Sequence, residues 1–86
     1  MDKRYIIVGF ADGIGHTLQV GNRLAWNFSR KVKSYKNLPP AIKEAHRVNV
    51  RRKCDRVVVY HIGVEERISC SYFDRWEDKI AFEIKS

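Results

Sequence analysis

Lys43, Arg47 and Arg51 recur at a spacing of four, and Lys31, Lys33 and Lys36 precede them in a stretch that also holds Tyr35. On a helix, a spacing of four returns to the same face about 6 Å further along the axis. Cations in a row at that interval can grip successive phosphates, and guanidinium groups do so through paired bonds to phosphate oxygens. Arg52 extends the row past Arg51, and His46 lies on its flank. Tyr35 offers a ring on which a nucleic-acid base can stack. The candidate phosphate- and base-contacting set is therefore Lys31, Lys33, Tyr35, Lys36, Lys43, His46, Arg47, Arg51 and Arg52. Glu44, three residues before Arg47, can absorb part of that charge.

The distribution of charge carries more information than its total. The chain has 17 basic and 10 acidic side chains, net +7. Residues 30–56 contain ten of the bases and only Glu44 and Asp55 among the acids, which is +8 in that segment and −1 in the rest. Solubility needs charge spread over the surface, whereas a concentrated block points to a polyanion or to an acidic protein surface. Ribonucleoprotein motifs, zinc-finger spacing and helix-turn-helix patterning are absent, so RNA and DNA are not distinguished.

Other chemistry finds little support. His16, His46, His61, Cys54 and Cys70 are scattered, without C-x-x-C or H-x-x-x-H spacing, so no metal site is expected. A ribonuclease would need one histidine as base, another as acid, and cations to brace the phosphorane. His46, beside the basic row, suits phosphate contact, while His16 and His61 are expected to face the sheet interior. Glu83-Ile84-Lys85 matches an E-x-K nuclease fragment but lacks an identifiable acidic partner. Arg51, Arg52 and Lys53 precede Cys54 and would lower its thiol pKa, against which stands a buried, inert cysteine at a helix–strand junction. Two cysteines are too few for a disulfide framework, and no cofactor motif or catalytic set is identified.

These side chains need a scaffold. At 86 residues, 44% hydrophobic and 12% aromatic, the chain is expected to be a single domain over 1–86. Asp12-Gly13 predicts a type I′ hairpin that sets Tyr5 opposite Val20, Ile7 opposite Leu18 and Gly9 opposite His16. A three-residue loop over 21–23 then pairs Val20 with Leu24 and Leu18 with Trp26, which keeps Trp26 and Phe28 on the core side. Pro40 suits a helical first turn, and the helix is expected to run to about Arg52. At about 100° per residue, Ala41, Ile42, Ala45 and Val48 form one stripe and Lys43, Arg47 and Arg51 another nearly opposite. Val50 falls on the basic side, which allows an earlier helix end and a strand from Val48.

The uninterrupted apolar runs Tyr5 to Phe10 and Val57 to Ile62 predict central strands covered on both faces. Ile68, Cys70 and Tyr72 are expected to pair with Ile80, Phe82 and Ile84 on one face, across a loop holding Trp76. The expected class is α+β: an antiparallel β-sheet, in the order βββ-α-βββ, with one basic amphipathic helix packed on it. No apolar run is long enough for a membrane span, and the N-terminal stretch lacks a signal-peptide core, so a cytoplasmic protein is expected.

Three functions follow as expectations. The first is a small, basic, non-enzymatic module that grips nucleic-acid phosphates through the 30–56 segment. The second is a protein-binding inhibitor or adaptor, of the sort phages and mobile elements encode, that meets an acidic partner or accepts a strand at a sheet edge. The third is a small ribonuclease. A homodimer through an exposed edge is compatible with each.

Overall fold

The computed structural model describes residues 2–21, 32–64, 73 and 75–85, together with the backbone of 23–25. Within them the chain is a small α+β fold of one antiparallel sheet and one α-helix. The strands are β1 (Lys3–Ala11), β2 (Ile14–Gln19), β3 (Arg23–Ala25), β4 (Ser34–Tyr35), β5 (Arg56–Gly63) and β6 (Ile80–Lys85). The helix α1 spans Leu38–Arg51, and a short 3-10 turn, Glu77–Lys79, leads into β6. The sheet order is β3-β2-β1-β5-β6, with β4 attached to β1 beside β2.

β1 and β5 occupy the centre because they are apolar on both faces. Ile6, Ile7, Val8, Val57, Val58 and Val59 are all fully buried. The β-branched residues among them suit a pleated surface, and each isoleucine or valine removed from water contributes about 1.5–3 kcal/mol. On one face Ile7, Leu18, Val57 and Val59 meet Ala41, Ala45 and Val48 of the helix. On the other, Ile6, Val8, Val58, Tyr60 and Ile62 are covered by Phe73 and Trp76. Trp76 is therefore a core residue, edge-on to Tyr60 and Phe73, and not the exposed loop aromatic that its neighbourhood suggests.

Asp12 and Gly13 both have positive φ, 54° and 79°, as a type I′ turn demands. Gly9 lies opposite His16 as expected, but the β1–β2 ladder stops at Val8↔Thr17. Beyond it β2 leaves β1, and Tyr5 pairs with Tyr35 of β4, not with Val20. The second turn also differs. Its three residues are 20–22, so Leu18 pairs with Leu24 and Gln19 with Arg23. Val20 sits in the turn itself, 63% exposed, followed by Gly21 at φ 95°. The shift leaves the side-chain alternation intact because it moves each pairing sum by two. Trp26, Phe28 and the strand expected over 68–72 lie outside the described residues.

In β6 the expected alternation of Ile80, Phe82 and Ile84 is broken. Val59 pairs with Phe82 but Tyr60 pairs with Ile80, a bulge that leaves Ala81 over. Phe82 and Ile84 consequently face the helix, while Ile80 joins the opposite cluster. The observed order ββββ-α-ββ thus adds the short β4 to the expected first group and contains two described strands after the helix.

The helix starts two residues before Pro40. Leu38, Pro39 and Pro40 fill its first turn, where a missing N–H removes no intrahelical bond. It continues through Val50 to Arg51, and the extended backbone of Arg52 (φ −118°, ψ 143°) ends it. The Arg52 N–H donates to the Val48 carbonyl and closes the last turn. No helix among the described residues is long and apolar enough to cross a membrane.

Candidate functional site

Packing of α1 over β1 and β5 fixes which helix side chains reach solvent. Ala41, Glu44, Ala45 and Val48 are buried against the sheet, and Ile42 is half-buried. Lys43, His46, Arg47, Val50 and Arg51 are exposed. Lys43, Arg47 and Arg51 thus form a solvent-facing row of about 12 Å at 1.5 Å per residue. Val50 is 83% exposed within this flank, so the valine that fits no core stripe is displayed. His46, Arg47, Val50 and Arg51 line a shallow hollow of about 240 Å³.

Glu44, the only carboxylate of the helix, turns inward and is 8% exposed. Its Oε1 lies 3.4 Å from Nη1 of Arg47, the pairing that their i, i+3 spacing permits. The pair leaves Arg47 largely in water, with its side chain 54% exposed against 10% for Glu44. His46 meets Phe82 of β6 at 5.6 Å between ring centroids, tilted by 58°.

The other predicted residues are distributed unevenly. Lys36, Arg52 and Lys53 are exposed at the two ends of the helix. Lys33 is half-buried; its N–H donates to the Leu18 carbonyl at 2.9 Å, and its ammonium lies 5.5 Å from the Tyr35 ring centroid. Tyr35 is itself half-buried against the helix-side core, and its hydroxyl is buried without a hydrogen-bond partner among the described residues. Its ring is shared between that core and the Lys33 cation. Lys31 lies outside the described residues.

Arg56, the last base of the basic segment, is removed from the surface set. It donates to the Glu83 carboxylate across β5 and β6, lies 3.9 Å from Glu77, and covers the Phe10 ring at 5.1 Å. Glu83, the acid of the E-x-K tripeptide, is thereby engaged by an arginine. Asp55 is a structural acid: its carboxylate accepts the Asp12 N–H at 2.9 Å, and its own N–H donates to the Phe10 carbonyl at 2.8 Å. Together these bonds tie the β1–β2 turn to the end of the helix connection.

The three imidazoles have three different neighbours. His16 Nδ1 is 3.1 Å from the Ile14 carbonyl, His46 meets Phe82, and His61 stacks on Tyr5 at 4.2 Å with the rings within 9° of parallel. No contact joins any two of them among the described residues. Nor is any trio of His, Cys, Asp or Glu disposed to hold a metal ion there. Cys54 is buried, and burial, followed by the Asp55 carboxylate, raises its thiol pKa against the weaker opposite pull of Arg52. Of the two expectations for Cys54, the structure supports the buried cysteine at the helix–strand junction: desolvation outweighs the preceding cations.

Lys3 and Arg4 went unremarked in the sequence, yet β1 brings them beside Lys36 along the same concave surface. Their separation of about thirty positions offered no signal, because only the β1–β4 pairing makes them neighbours. No protein-family model, no curated protein and no solved structure matches this chain.

Proposed function

We propose that the chain is a non-enzymatic nucleic-acid-binding module that grips backbone phosphates along the outer flank of α1. One observation carries the reading: Lys43, Arg47 and Arg51 stand in a solvent-facing row while the only carboxylate of that helix is turned under them. Lys36 before the helix and Arg52 and Lys53 beyond it are exposed as well. The sheet beneath is fully buried at its centre, so the helix that carries the cations is packed on a formed core and presents them without a folding cost. Bound phosphates release counterions, which makes the affinity steeply dependent on salt.

The test is charge reversal. The double variant Arg47→Glu/Arg51→Glu abolishes binding of single-stranded RNA or duplex DNA and keeps the circular dichroism of the folded domain. Unchanged binding by the folded double variant removes the helix row from the site.

A second reading, an adaptor that docks an acidic protein, is favoured by the exposed Val50 within the basic flank. An apolar anchor ringed by cations suits a protein surface of opposite charge. Val50→Asp separates the two readings: it removes protein capture and weakens phosphate gripping only by the one added charge.

A further inference from the structure

His61 takes no part in the helix row. In the sheet it lies opposite Tyr5, and the two rings stack at 4.2 Å, within 9° of parallel. Lys3, two residues before Tyr5 and so on the same face, lies opposite Gly63, which has no side chain. The sheet surface is therefore open where a side chain at position 63 would stand beside His61. On the other flank of β5, the bulge in β6 leaves Ala81 over, so its backbone groups are not committed to the β5 ladder. Between these features lies a hollow of about 270 Å³, whose lining includes His61, Lys3, Gly63, Ala81 and the turn residues Asp78 and Lys79.

Three features define what this hollow can hold. Tyr5 covers one face of the His61 ring, and the half-buried imidazole also borders the hollow. A flat ring entering there continues the Tyr5–His61 stack. Small-molecule sites run from about 300 to 1,000 Å³, so this smaller hollow takes a single ring system and not a whole nucleotide. Its walls carry donors and acceptors together: the ammonium groups of Lys3 and Lys79 donate, and the Asp78 carboxylate and backbone carbonyls accept. A hydrocarbon ring would strip water from these groups and leave them unpaired, whereas the edge of a nucleobase brings donors and acceptors of its own.

We infer that this hollow binds a nucleobase, stacked on His61 and hydrogen-bonded along its edge by the Lys79 ammonium and the Asp78 carboxylate. A base inside a duplex has both faces covered and its pairing edge engaged, so only an unpaired base can enter. The same chemistry is offered by a free nucleoside and by an unpaired base of a strand. The site shares no residue with the α1 row and does not depend on that row gripping phosphates.

The probes are adenosine, ribose and benzyl alcohol, titrated into the ¹³C,¹⁵N-labelled chain and followed by NMR. Adenosine moves the His61 ring protons upfield, as stacking on the ring face requires, and shifts the amides of Gly63, Lys79 and Ala81. Ribose and benzyl alcohol leave all of these in place. His61→Ala, with its fold checked by circular dichroism, weakens adenosine at least about fivefold, and His61→Phe, which restores a ring, keeps it within about threefold of the parent. Arg47→Glu/Arg51→Glu leaves adenosine binding unchanged, so failure of the helix row and failure of this site are told apart. Unmoved His61 ring protons in the parent, or benzyl alcohol binding as tightly as adenosine, overturn the inference. So does undiminished affinity in the folded His61→Ala variant, or an equal loss in His61→Ala and His61→Phe. Between the two sources, a loss of about fivefold for single-stranded oligoadenylate in His61→Ala identifies the base of a strand. Unchanged oligoadenylate affinity in that variant, with adenosine weakened, identifies the free nucleoside.

Discussion

Gly15→Ala tests the aromatic layer that closes the sheet face opposite the helix. Gly15 is buried in β2, and its φ lies outside the left-handed region, so the argument is one of space alone. A methyl group there would sit 2.5 Å from Cδ2 and 2.6 Å from Cε2 of Phe73, and 3.1 Å from Cε1 of Phe10. Carbon contacts are comfortable at about 3.5–4.0 Å, so the Phe73 ring must retreat by roughly 1 Å. That ring is not free to move. It lies parallel to Tyr60 at 5.8 Å and edge-on to both Trp76 and Phe10 at 5.6 and 5.9 Å. Overpacking of this kind costs about 1–3 kcal/mol, of which the lower chain entropy of alanine returns about 0.4–1. A net loss of about 1–2 kcal/mol lowers Tm by roughly 4–16 °C in a domain of this size. Thermal unfolding followed by circular dichroism measures it, and Gly15→Ala/Phe73→Leu recovers most of the loss. A single variant as stable as the parent would show that Phe73 does not cover Gly15.

Three further outcomes follow from the packing and charge of the helix. Val48→Ala, which opens space under the helix, lowers stability by about 1–3 kcal/mol in urea unfolding, whereas Val50→Ala changes it by no more than about 0.5. Glu44→Gln frees Arg47 from its partner and raises affinity for a nucleic-acid probe several-fold, with stability altered by about 1 kcal/mol or less; weaker binding in anisotropy titrations contradicts this. Cys54, held protonated by burial, reacts with iodoacetamide at pH 8 far more slowly than an unfolded control when its peptide is followed by mass spectrometry. Because its folded pKa is raised, the stability linked to that thiol is present below the unfolded value and is lost as pH rises through the folded one.

The elements legible in the sequence were those specified by local chemistry. Asp12-Gly13 determines its turn through dihedral angles alone, and the apolar runs of β1 and β5 mark strands that need cover on both faces. The outward row of Lys43, Arg47 and Arg51 follows from helical periodicity. What escaped depended on distant partners. The Ala81 bulge follows from how β6 meets β5, and it reverses the face of Ile80. The two-residue β4 has too little pattern to be seen, although it displaces β2 from half of β1 and draws Tyr35 toward the core. For Cys54 the cations beside it are visible in the sequence, whereas the burial that makes it the buried cysteine of a helix–strand junction is seen only in the fold. The Lys3–Arg4–Lys36 grouping likewise exists only once β1 and β4 are paired.

If the α1 flank grips phosphates, binding must weaken steeply as salt rises. Fluorescence anisotropy with labelled single-stranded RNA and duplex DNA, repeated across a salt series, gives the slope of log K against log salt. Lys43, Arg47 and Arg51 are exposed on one flank of α1, and Lys36 and Arg52 are exposed at its two ends. Engagement of roughly four or five phosphates by these groups predicts a slope of about −3 to −4.5. The slope should fall toward half that value when Arg47 and Arg51 are replaced by alanine. Flat titrations with both probes at low salt, or a slope unaffected by those replacements, would show that the α1 flank does not grip phosphates.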